Sequence, residues 1–66
     1  MKVFVNGDLH ERSEAETVEM LVDAVTDSPR GIAVAVNGEV VPRSEWGDTT
    51  LLEHDRVEVL GASQGG

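Results

Sequence analysis

Two Asn-Gly pairs, Asn6-Gly7 and Asn37-Gly38, constrain this chain more than any other feature. Asn-Gly is the strongest short hairpin signal. A two-residue turn that matches the twist of its flanking strands needs positive φ at both central positions, and these residues tolerate it. Each pair lies between β-forming residues. Lys2-Val3-Phe4-Val5 leads into the first turn and Leu9-His10-Glu11-Arg12 leaves it. Ile32-Ala33-Val34-Ala35-Val36 leads into the second and Glu39-Val40-Val41 leaves it, ended by Pro42, which has no N–H for a ladder. Two hairpins are expected.

Between them, Val18, Leu21, Val22 and Val25 recur at the i, i+3, i+4, i+7 spacing of an amphipathic helix. Glu19 and Asp23 fall on its wet side. Thr17 is the expected N-cap, and Glu14 and Glu16 stand where the helix dipole favours negative charge. Ser28-Pro29-Arg30-Gly31 stops the helix. After the second hairpin, residues 43–46 read as a short helical turn with Trp46 as its packing anchor, and residues 47–55 as a polar stretch pinned by Leu51 and Leu52. Arg56-Val57-Glu58-Val59-Leu60 alternates as a last strand. The order β-β-α-β-β-turn-β is α+β. A lone sheet of this size is not independently stable, so the helix must cover one face. The chain has 66 residues and no repeat or interdomain linker, so one small domain is expected.

Composition narrows the function. The formal net charge is −8, with 13 acidic and 5 basic residues. That balance opposes binding to a phosphate backbone and favours a partner with a positive surface. Phe4 and Trp46 are the aromatic residues, too few for a base-stacking platform. There is no cysteine, which excludes a disulfide scaffold and a zinc–thiolate site. No stretch approaches the roughly 20 apolar residues of a membrane span and no signal peptide is visible, so a cytoplasmic protein without membrane contact is expected. His10 and His54 lie far apart, beside Asp8, Glu11, Glu53 and Asp55. They read as solvated loop or edge histidines, the acidic residues as a solvated face, and no metal site or catalytic residue is expected.

The chain closes on Gln64-Gly65-Gly66. Two glycines there are expected by chance in roughly one chain in 200 at average usage. An expression scar or linker stub would explain them, and so would a terminal carboxylate that is the working group. Without Cβ atoms the end threads a narrow channel, and residues 61–66 reach about 20 Å when extended. A carboxylate becomes electrophilic once coupled to AMP, and a sulfur nucleophile that displaces AMP leaves a thiocarboxylate.

The first hairpin, the helix and the segment Ala35-Val36-Asn37-Gly38-Glu39-Val40-Val41-Pro42-Arg43-Ser44-Glu45-Trp46 together resemble the ThiS family, the sulfur carriers of thiamin thiazole biosynthesis. The resemblance continues through Leu52-Glu53-His54-Asp55-Arg56-Val57-Glu58 to Gly65-Gly66, and Val41-Pro42-Arg43-Ser44-Glu45-Trp46 is its most specific part. Ser63 departs from it, since the family more often has an apolar residue before Gln-Gly-Gly. The resemblance implies a β-grasp (ubiquitin-like) fold, a mixed sheet of four to five strands covered on one face by one helix. Residues 1–60 would form that domain and residues 61–66 a flexible tail. It implies a protein co-substrate with no bound cofactor. An E1-like enzyme would use ATP to adenylate Gly66, a desulfurase system would supply sulfur, and thiazole synthase would receive it, with Gln64 and Gly65 threading the partner's active site. The alternatives are a sulfur carrier for another pathway (cysteine, molybdopterin or a secondary metabolite) and a modifier conjugated to lysines. Strand alternation, with Val3, Val5, Val34 and Val57 facing the helix, places Phe4, Ala33, Ala35 and Leu60 on the opposite face, the expected docking surface.

Overall fold

The computed structural model describes residues 1–12, 14–28 and 30–61. Strands β1 (Lys2–Val5) and β2 (Asp8–Glu11) form the first hairpin, helix α1 (Val18–Val25) comes next, and β3 (Ile32–Val36) and β4 (Glu39–Val41) form the second. A 3₁₀ segment, Arg43–Asp48, leads towards β5 (Arg56–Gly61). The sheet order is β2-β1-β5-β3-β4. β5 lies parallel to β1 and antiparallel to β3, so the last strand occupies the middle of the sheet and joins the two hairpins. This is the mixed five-stranded β-grasp arrangement with one helix. β5 runs one residue beyond the expected strand: Gly61 pairs with Ile32 and belongs to the sheet.

Both turns adopt the conformation their sequence requires. φ is 51° at Asn6, 87° at Gly7, 52° at Asn37 and 86° at Gly38. Two-residue turns set the register, which pairs Phe4 with Leu9 and Ala35 with Val40. α1 begins at Thr17, whose Oγ1 accepts a hydrogen bond from the Met20 amide at 3.2 Å. It ends where the Thr26 amide donates to the Val22 carbonyl at 3.0 Å. Thr26 is extended, so the helix stops before Ser28.

The core lies between α1 and the sheet. Val18, Leu21 and Val22 pack with Val3, Val34, Val41 and Val57, and Trp46 and Leu51 close the cluster. Trp46 anchors the 3₁₀ segment as expected. Its indole N–H donates to the Val41 carbonyl at 2.9 Å, and the Arg43 guanidinium stands 5.6 Å from the ring centroid. Two expected core residues lie outside. Val25 is exposed because it is the last residue of a two-turn helix, beyond the cluster. Leu52 is exposed because its neighbour Leu51 takes the inward position, where its amide donates to the Glu16 carbonyl at 2.9 Å.

The division between these faces has a direct consequence. Leu21→Ala removes a fully buried side chain and is expected to cost about 2–5 kcal/mol in urea denaturation. Val25→Ala, on the same apolar stripe in sequence, is expected to cost less than about 0.5 kcal/mol.

Candidate functional site

The sheet face away from α1 carries a group of apolar side chains. β1 contributes Phe4, β5 Leu60, and β3 the small Ala33 and Ala35. Leu60 pairs with Ala33 across the β5–β3 ladder, and β1 neighbours β5 with Phe4 beside Arg56. The four residues expected on this face therefore lie on adjacent strands and share a side. Phe4 is 36% exposed and Leu60 60%. The hairpin registers add two residues that strand alternation within single segments did not show. Leu9 lies opposite Phe4, and Val40, 75% exposed, lies opposite Ala35. The signal was present, since a two-residue turn at positions 6–7 makes 4 and 9 partners and one at 37–38 makes 35 and 40 partners.

An apolar band thus crosses all five strands, from Leu9 through Phe4, Leu60 and the alanines to Val40. Charged residues interrupt it on β5, where Arg56 and Glu58 point to the same side as Leu60. A depression beside Phe4 and Leu60 is also lined by Asn6, Gly7, Gly38, Arg56, Val57 and Glu58. The band leads along β5 to Gly61, after which residues 62–66 continue the chain. Gln64, Gly65 and Gly66, the residues to which the sequence assigns chemistry, lie outside the described residues.

On the helix side, one expectation is overturned. Glu16, in the segment between β2 and α1, is not on a solvated face: it is 2% exposed. His10 is correspondingly not a solvated edge histidine. It is the β2 residue opposite Val3, facing inward, and its Nε2 lies 3.1 Å from Glu16 Oε1. The Arg12 guanidinium reaches Glu16 Oε2 at 3.4 Å. The cause is tertiary. Glu16's carbonyl receives the Leu51 amide and the neighbouring Thr17 bridges to Thr50, which draws this segment under the 47–52 loop. The two basic neighbours offset this burial in part: Oε1 is hydrogen-bonded with His10, whereas Oε2 has the Arg12 charge nearby but no hydrogen-bond partner. His54 is exposed, 3.6 Å from Glu53 Oε2. Among the described residues, no group of three or more His, Cys, Asp or Glu could hold a metal ion, and no helix is long and apolar enough to cross a membrane.

The sequence matches the ThiS family over residues 3–66. Over all 66 residues it is 35% identical to a thiazole synthase of Magnetococcus marinus and 32% identical to one of Paramagnetospirillum magneticum. The chain spans about a fifth of the length of each of these relatives. It is 24% identical to the sulfur carrier protein ThiS of Escherichia coli, with both chains covered in full. A crystal structure of the thiamine biosynthesis protein ThiS of Geobacter metallireducens superposes with a TM-score of 0.85 at 32% identity over the whole of both chains.

The histidines provide a test of the buried cluster. His10→Ala removes the hydrogen-bond partner of Glu16 Oε1 and is expected to cost about 1–3 kcal/mol at neutral pH by chemical denaturation. His54→Ala is expected to change stability by less than about 0.5 kcal/mol.

Proposed function

Since the chain belongs to the ThiS family, whose members are sulfur carriers linked to thiamin biosynthesis and not enzymes, we propose that Gly66 carries the sulfur as a C-terminal thiocarboxylate and delivers it to thiazole synthase. A carboxylate oxygen of Gly66 attacks the α-phosphorus of ATP in the site of an E1-like enzyme, and pyrophosphate leaves. A persulfide sulfur supplied by a desulfurase system then attacks the acyl carbon and AMP departs; a thiol of a partner protein cleaves the resulting acyl disulfide, forming a disulfide and releasing the thiocarboxylate. Gln64 and Gly65 thread the narrow approach to both partner sites. No internal thiol competes for the activated carbonyl, because the chain has no cysteine.

The observation that carries this reading is the family match, which runs to residue 66 and includes a sulfur carrier protein aligned over its entire length. Thiazole synthases that contain a segment similar to this whole chain support that enzyme as the sulfur acceptor. Covalent continuity between two domains is a common counterpart of association between separate chains. The exposed band of Phe4, Ala33, Ala35 and Leu60, widened by Leu9 and Val40, is the proposed docking face. The alanines let a partner backbone approach, and Phe4 and Leu60 supply anchoring area.

Two experiments test this. Incubation with ATP, an E1-like partner and a sulfur source should raise the intact mass by the difference between sulfur and oxygen, and deletion of Gly66 should abolish the change without altering the melting temperature. An unmodified wild-type mass after complete incubation overturns the reading. Separately, Leu60→Asp should weaken partner binding by about tenfold or more while leaving the melting temperature nearly unchanged, because Leu60 is exposed in the free domain. Unchanged affinity would exclude the open face as the docking surface.

A further inference from the structure

β5 is paired unequally on its two sides. Its β3 side is laddered through Gly61, which pairs with Ile32. On the β1 side, backbone pairing ends where the Asn6 amide donates to the Val57 carbonyl at 2.9 Å, because the chain turns away at Asn6-Gly7. The next β5 residue directed to that side is Val59, and its peptide groups would have no strand beside them. The Asn6 side chain fills the place. Its Nδ2 donates to the Val59 carbonyl at 3.1 Å, and the Val59 amide donates to Asn6 Oδ1 at 2.8 Å. A carboxamide presents the same donor and acceptor as a peptide group, so Asn6 adds one rung to the parallel ladder without a further strand residue.

Asn37, in the other turn, has a related role at the opposite end of β5. Its Oδ1 accepts from the Arg56 amide at 2.9 Å and its Nδ2 donates to Asp55 Oδ1 at 2.9 Å. The two turn asparagines therefore hold the start and the end of the same central strand. Their distances from the C-terminus differ. Beyond Asn37's contact lies the whole of β5, whereas beyond Asn6's contact lie Leu60, Gly61 and the tail.

We propose that Asn6 is a positioning residue for sulfur carriage: its side-chain clamp on Val59 holds the last residues of β5, from which the sequence continues to Gly66. This rests on the carrier reading of Gly66. Leu60 and Gly61 are held on the β3 side by pairing with Ala33 and Ile32, and on the β1 side through the hold of Asn6 on the preceding Val59. Fixing these residues before docking removes part of the ordering cost that the complex would otherwise bear.

The two clamps make a matched experiment. Asn6→Gly and Asn37→Gly each delete one side-chain clamp and keep a residue that adopts positive φ, so both turns persist. The melting temperatures of the two variants should fall by similar amounts. With an E1-like enzyme and ATP, kcat/KM for pyrophosphate release should fall about tenfold for Asn6→Gly, mainly through KM, and stay within about twofold of wild type for Asn37→Gly. Backbone amide order parameters of Leu60 and Gly61 in the free protein should drop in Asn6→Gly alone. Equal kinetic losses in the two variants, or unchanged order parameters at Leu60 and Gly61 in Asn6→Gly, overturn the assignment. If wild type itself releases no pyrophosphate, the carrier reading fails, and the order parameters still decide whether Asn6 fixes the root of the tail.

Discussion

The seating of β5 between β1 and β3 is the constraint on which everything else in this fold depends. Each hairpin is local and closes over a two-residue turn, but neither forms a core alone. Only when the last strand enters the middle of the sheet do Val3, Val34 and Val57 become neighbours under α1. That contact closes most of the chain length, since Asn6 meets Val59 across 53 positions. The residues that favour the insertion are the same asparagines that make the turns. Their φ values answer to the local twist, and their carboxamides answer to the strand that arrives last.

The buried Glu16 belongs to the same closure. A carboxylate taken from water is costly unless it keeps partners, and here His10 and Arg12 come from the end of β2 to meet it. The group ties the loop before α1 to the first hairpin, while its backbone carbonyl holds Leu51. The contact is thus structural in location, on the helix side of the sheet and away from the face that leads to the tail.

For the proposed sulfur carriage, that separation of faces matters. One face of the sheet is consumed by the core. The other carries the exposed apolar band, crossed by small alanines and interrupted by Arg56 and Glu58 on β5, the strand whose sequence leads into residues 62–66. Glu19 and Asp23 on the exposed side of α1 keep the opposite surface acidic and hydrated. The proposed docking face therefore lies across the strand whose sequence runs on to Gly66.

Much of this was legible from residues alone. Both Asn-Gly turns, the Thr17 cap, the strands they bound and the side to which Phe4, Ala33, Ala35 and Leu60 point come from local φ preferences and two-residue alternation, which need no distant partner. The tail chemistry is a proposal from residue type and family resemblance, and its residues lie outside the described ones. Val25 and Leu52 could not be placed, because helical or strand periodicity says which residues share a side but not how far the opposing core extends. Glu16 and His10 were read as solvated, because burial of a charge depends on partners six positions away and on a loop more than 30 positions further along the chain. The second task of Asn6 and Asn37 was hidden for the same reason. A carboxamide at a turn carries no local sign that a strand from the far end of the chain will lie beside it, so the turns were determined by sequence and their clamps only by the tertiary fold.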